Sequence, residues 1–227
     1  MLGTVVNAAA VILGALFGIG IKKGIKESYK DTIMNGIGLS VVLIGIMGGI
    51  EANNIILVIA SIVIGSIVGE ALDIDKKLDH LGLSMEKKFG KGDSNFSKGF
   101  VTASLVYCIG AMAIVGSLES GLSGNHETLF AKSILDGITA ILFASSLGIG
   151  VAFSALPIFI YQGTITLLAN FIKDYLTPEA VGEMSAVGGV LILAIGINLL
   201  GLKKIKVANM LPAVFIPLIY YTIIGLF

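Results

Sequence analysis

Asp136 is the one acidic residue in the apolar run LFAKSILDGITAILFASSLGIG, residues 129–150, and it stands four residues after Lys132. On a helix that spacing puts the two side chains on one face, one turn apart. A carboxylate in apolar surroundings must be paired, or must hold a cation or a proton. Two chemistries follow. Asp136 can lean back toward Lys132 as an ion pair near the helix N-terminus, where the dipole also favours it. Alternatively, it is the working group of a site that binds a cation or a proton in a cavity shared with the next helix.

Other polar residues in apolar segments are candidates for the same site. Thr139 and Ser146 share a stripe with Asp136 at 100° per residue, and Gln162, Thr166 and Asn170 form an i, i+4, i+8 stripe on the following segment. Asn7 and Asn198 sit in two further segments. Glu119 lies in GSLESGLSGNHET, which reads either as an exterior loop or as a partly unwound ion-binding stretch. Catalysis finds little footing. His80 and His126 are expected in loops, so no intramembrane Ser–His dyad forms, and an aspartyl protease would need a second aspartate in a span. No spacing of His, Cys or carboxylates suggests a metal site, and no cofactor is expected. The chain is not read as an enzyme.

What must position these residues is set by composition. The 227 residues are 56% hydrophobic and only 13% charged, with a mean hydropathy of +0.97. Soluble domains carry about a quarter charged residues, so lipid must be the solvent for much of this chain. Zero formal net charge removes a basic field for nucleic acid. Residues 1–21 lack a basic stretch before them and read as a retained first span.

Spans of about 20 apolar residues are expected at 2–21, 33–50, 55–72, 100–118, 133–149, 151–172, 184–202 and 207–226, giving an all-α bundle of eight spans. Residues 133–172 hold no Lys, Arg, His or Glu. As one helix they would run roughly 60 Å at about 1.5 Å per residue, twice the bilayer core, so a reversal is expected at Gly148-Ile149-Gly150. The lysines agree. All 15 basic residues are lysine, and eight spans place thirteen on one side and only Lys132 and Lys173 on the other. That is a strong positive-inside signal and puts both termini outside. A six-span variant with one re-entrant hairpin keeps the same parity. Residues 73–98 form a cytoplasmic linker in which Ile74, Leu78, Leu81, Met85 and Phe89 recur at helical spacing, as in a helix lying on the leaflet.

Spans 1–3 and 6–8 begin at matching intervals about 150 residues apart, and GLSVVLIGI (38–46) overlies GVLILAIGI (189–197), pairing Gly38 with Gly189 and Gly45 with Gly196. Five passes separate the triplets, so the copies would be inverted. The organisation expected is a first repeat over 1–72, the linker at 73–98, intervening spans over 99–150 and a second repeat over 151–227. The patterns GALFG (14–18), Gly45 to Gly49 and GSIVG (65–69) suit close helix packing, within the subunit or at a homodimer face.

The segments MLGTVVNAAAVILG and YCIGAMAIVGSLESGLSG…AKSILDGITAILFASSLGIGVAFSALPIFIYQGTITLLA (107–169) resemble the YdfK/YqgA-like family of bacterial integral membrane proteins. The resemblance covers essentially the whole chain. It is carried by Asn7, Gly110, Lys132, Asp136, Gly137, Tyr161, Gln162 and Gly163, and implies a multi-span helical fold without implying a substrate. The function expected is secondary transport or ion translocation of a small solute or cation. The alternative is a non-transporting scaffold or regulatory protein whose polar residues serve helix packing; a channel and an intramembrane enzyme rank below both.

Overall fold

The computed structural model describes residues 1–22, 27–90 and 95–225; Lys23, Lys26 and Lys91, used in counting charge by side, lie outside the described residues, as does the last residue of the expected final span. Every regular element among the described residues is a helix: α1 (Leu2–Lys22), α2 (Glu27–Ile50), α3 (Ile55–Leu72), α4 (Ile74–Phe89), α5 (Phe96–Cys108), α6 (Ala111–Leu122), α7 (Glu127–Leu147), α8 (Gly150–Phe153), α9 (Ala155–Ile172), α10 (Pro178–Leu199), the 3-10 helix η1 (Val207–Phe215) and α11 (Ile216–Ile224). Among the described residues, seven stretches are long and apolar enough to cross a bilayer, and an eighth is made if the bent pair α5–α6 counts as one span. The chain is thus a polytopic helical membrane protein.

The chain divides into two compact units. Unit 1 takes Met1–Ile37, Leu78–Cys108 and Met112–Asn170, and unit 2 takes Gly38–Lys77, Ile109–Ala111 and Phe171–Phe227.

In unit 1, glycines bring α1 against α7. A Cβ at Gly14 would run into the carbonyl of Gly137, one at Gly18 into that of Ile141, and one at Gly3 into Leu129. The contacts advance together along both helices, so α1 and α7 are parallel. Without side chains at these positions the backbones come close enough for dispersion to hold them in lipid. The expected reversal after α7 is present. α7 ends at Leu147, Gly148 has φ +83° and a new span starts at Gly150. Leu129 near the start of α7 and Gly163 in α9 both adjoin the first residues of α1, which requires the chain to turn back between them. The turn is fastened to α5, where a Cβ on Gly150 would meet the Phe96 carbonyl. The Phe153 ring lies tilted against those of Phe89 and Phe96, each 5.1 Å away between centroids.

Three expectations in unit 1 change. The span drawn as 100–118 is two helices, α5 and α6, bent by 62° at Gly110, whose φ of +129° suits only glycine. Glu119 is in α6 and not in a loop, because GSLESG continues the helix to Leu122. His80 lies on α4, whose charged residues tolerate a helix as readily as a loop; Ile74, Leu78 and Met85 of its expected apolar stripe are half-buried, while Leu81 and Phe89 are exposed.

Unit 2 pairs the end of α2 with α10 in antiparallel fashion. Gly38 faces Leu200, Gly196 faces Val42, Gly45 faces Leu193 and Gly189 faces Gly49. α3 lies equally close to η1, with Gly65 against Ala213 and Gly69 against the Asn209 carbonyl. α10 begins earlier than the expected residue 184. Thr177 caps it, accepting from Ala180 N–H, and Pro178 occupies its first turn. The expected single helix over 207–226 opens instead as a 3-10 stretch containing Pro212, which lacks a donor and clashes with a regular preceding turn. Asn209 ties this segment down: its Nδ2 donates to Glu70 Oε2 at 2.6 Å, and its Oδ1 accepts from Asp75 N–H at 2.6 Å.

Candidate functional site

Unit 1 buries a charged pair. Lys132 Nζ donates to Asp136 at 2.8 Å from Oδ2 and 3.0 Å from Oδ1. Asn7 Nδ2 donates to the same Oδ2 at 3.1 Å from the neighbouring helix α1. Both charged residues are under 10% exposed, so the carboxylate neither snorkels to water nor stands alone. Asn7 reaches it because Gly14, Gly18 and Gly137 let α1 and α7 approach so closely. Thr139 extends the cluster. Its Oγ1 donates to the carbonyls of Leu135 and Asp136, at 2.9 and 3.0 Å, and lies 3.4 Å from the Tyr107 hydroxyl. Tyr107 is fully buried, with its ring stacked on Phe143 at 6.0 Å.

About two helical turns toward the start of α7, roughly 10 Å along its axis, four helices meet at glycines. Gly3 of α1 lies against Leu129 of α7, and Gly116 of α6 lies against Leu129 and Thr128. Gly121 of α6 lies against the Thr166 carbonyl of α9, and Gly163 of α9 lies against the Met1 side chain. Thr4, Ser117 and Gln162 are chain neighbours of Gly3, Gly116 and Gly163, and the Thr166 carbonyl lies against Gly121; all four are buried, with no protein partner for their side-chain polar atoms. Gln162 is wholly buried, yet neither Oε1 nor Nε2 is bonded. Asn7 Oδ1 is likewise unpartnered. Of the eight such atoms among the described residues, six belong to this part of unit 1. Buried polar groups are normally satisfied, so these six atoms set this part of unit 1 apart among the described residues.

The other candidates divide. Glu119 Oε2 accepts from Thr128 Oγ1 at 2.6 Å, joining α6 to α7 beside the junction. Ser146 is half-buried at the far end of α7, and Asn170 is exposed at the end of its stripe. The structure does not bring either to the cluster. Asn198 belongs to unit 2, where it donates to Ile205 O and accepts from Ile205 N–H, both at 2.8 Å, and so closes the loop after α10.

Two kinds of residue were missed from sequence. Thr4 and Ser117 are small hydroxyls among small residues and gave no signal apart from the three-residue spacing of Thr4 to Asn7. Glu183 fell at the edge of a span drawn too short. It is wholly buried in α10, and its Oε1 accepts from the backbone N–H groups of Asn53 at 3.0 Å and Asn54 at 2.6 Å, while Oε2 has no partner. Among the described residues no group of three or more His, Cys, Asp or Glu side chains is placed to hold a metal ion.

The profile of the family described as protein of unknown function (DUF554) matches residues 2–222. The membrane protein YdfK of Bacillus subtilis (strain 168) is 36% identical over 231 residues, covering 100% of this chain and 98% of YdfK. The protein YqgA of Escherichia coli (strain K12) is 32% identical over 220 residues, covering 94% of this chain and 93% of YqgA. No solved structure matches.

Proposed function

Because the chain belongs to the DUF554 family, alongside YdfK and YqgA, we propose that it is a bacterial inner-membrane protein that translocates a small solute or ion, with the polar junction of unit 1 as its binding site. The observation that carries this reading is Gln162, wholly buried in α9 with both ends of its amide unbonded. A purely structural amide in lipid would be expected to find partners on neighbouring helices.

Two features accord with a transporter. The span α5–α6 is discontinuous, and broken helices are where transporters place their sites. The inverted repeat is in keeping with the pairing of α2 with α10, because positions related by the repeat, Gly38 with Gly189 and Gly45 with Gly196, all serve close approach. The reading with both termini outside rests on the lysine count, in which Lys132, buried in α7, and Lys173 are the two on the outer side.

The scaffold reading draws on a different observation: Asp136 is bonded by both Lys132 Nζ and Asn7 Nδ2, which fastens α1 to α7. Reconstitution separates the two. Liposomes containing the protein should pass a solute or an ion that empty liposomes retain, and Gln162→Leu should remove that flux from a folded, monodisperse protein. Liposomes as tight as empty ones, or flux unchanged in Gln162→Leu, would overturn the transport reading.

A further inference from the structure

The charges of the cluster cancel internally. Lys132 faces both carboxylate oxygens of Asp136 within 3.0 Å, and Asn7 Nδ2 adds a third donor. Asn7 cannot be turned over, because its oxygen would then face the carboxylate, which accepts only. What remains for a ligand is therefore neutral. Thr4, Ser117 and Thr166 offer hydroxyls, which donate or accept; Asn7 Oδ1 and Gln162 Oε1 only accept; Gln162 Nε2 only donates.

That inventory discriminates among ligand charges. A bare cation would satisfy oxygens but leave Gln162 Nε2 without an acceptor, and the Asp136 carboxylate that could balance its charge is already neutralised by Lys132. An anion would oppose the acceptor-only oxygens of Asn7 and Gln162. A neutral molecule with both N–H or O–H donors and oxygen acceptors offers a partner of the right sense to each kind of group. Whichever way the Gln162 amide is turned, one acceptor and one donor group are presented, so the requirement is independent of its orientation.

Resting on the transport reading above, we infer that the cargo is a small uncharged solute bearing both hydrogen-bond donors and acceptors, of the amide, urea-like or polyhydroxy class. Gln162 is the central recognition group, and the Lys132–Asp136 pair is an internally neutralised support and not an ion site.

The test is proteoliposome osmometry by stopped-flow light scattering with urea, acetamide and glycerol, run beside a membrane-potential dye under sodium, potassium and proton gradients. Re-swelling in at least one of the three solutes should exceed that of empty liposomes, with no protein-dependent charge movement. Gln162→Leu and Thr166→Val should each slow re-swelling roughly tenfold or more, as the loss of a buried hydrogen-bond partner implies, while Thr166→Ser, which keeps the hydroxyl, should retain it. Thr166→Val preserves side-chain shape, so the test survives should Gln162→Leu fail to fold. Protein-dependent charge movement that Gln162→Leu abolishes, without re-swelling, would overturn the uncharged cargo and leave translocation standing. Tight liposomes in every condition, or water passage alone, would overturn both.

Discussion

Lys132 Nζ stands 2.8 Å from Asp136 Oδ2, one helical turn away on α7, and both side chains are buried. Removing one partner leaves the other charge uncompensated in a dry surrounding, whereas removing both leaves none. Breaking a buried pair costs about 3–5 kcal/mol, while replacing both members is often neutral or better. Asp136→Asn and Lys132→Met should therefore each lower the temperature at which the detergent-solubilised protein loses its monodisperse gel-filtration peak. The double variant Lys132→Met/Asp136→Asn should recover most of that loss. Additive losses in the double variant would show that the two side chains are not coupled.

Glu183 makes a contrasting case. Its Oε1 closes the turn between α2 and α3 by accepting from two backbone N–H groups, and no cation accompanies it among the described ion pairs. Gln keeps an acceptor in place and removes the charge, so Glu183→Gln should be tolerated. Glu183→Ala orphans both N–H groups, at about 1–3 kcal/mol for each buried donor left unsatisfied. Heating the two variants in parallel should show a clear drop for alanine and little for glutamine; equal drops would mean that the charge itself is required.

The glycines yield a positional prediction. A side chain at Gly14 or Gly18 would enter the α7 backbone, where nothing can yield, whereas Gly20 has open space around its Cβ position. Gly14→Val and Gly18→Val should each cost about 1–3 kcal/mol or more through overpacking, and should weaken the Asn7–Asp136 contact that depends on the same approach. Gly20→Ala should be silent. Thermal stability of the three variants, measured as above, decides it.

Much of this arrangement was readable in the residues. The absence of any polar divider in 133–172 required a reversal, and the only glycines able to make one are where the chain turns. The four-residue spacing of Lys132 and Asp136 placed them together, and the choice between ion pair and lone carboxylate fell to the pair because Asn7 and the α1 backbone close over it. What the sequence did not carry was long-range. Nothing local distinguishes Ser117 at a four-helix junction from Ser146 at a half-exposed helix end. Asn170 follows Gln162 and Thr166 at perfect helical spacing yet is exposed, since periodicity gives a face but not how far along the helix that face stays covered. Glu183 lies just before the expected span 184–202, and what allows it to be buried is two backbone donors from a distant turn, which no local pattern reveals.

Gln162 provides the sharpest separation of a binding group from a packing group, through the sign of a stability change. A glutamine that glues helices contributes hydrogen bonds, and replacing it with leucine should destabilise the protein. Gln162 has no such bonds to the protein to lose, and a buried group left unsatisfied costs about 1–3 kcal/mol. Leucine has a similar volume and no polar atoms, so Gln162→Leu should raise the thermal transition while abolishing translocation. Thr166→Val should do the same on a smaller scale, because Thr166 Oγ1 is equally unpartnered. Stabilisation coupled to loss of function is the expected cost of a preorganised binding site. A lowered transition in both variants would place these side chains among the contacts that hold α9 in the bundle, and the junction would then be structural.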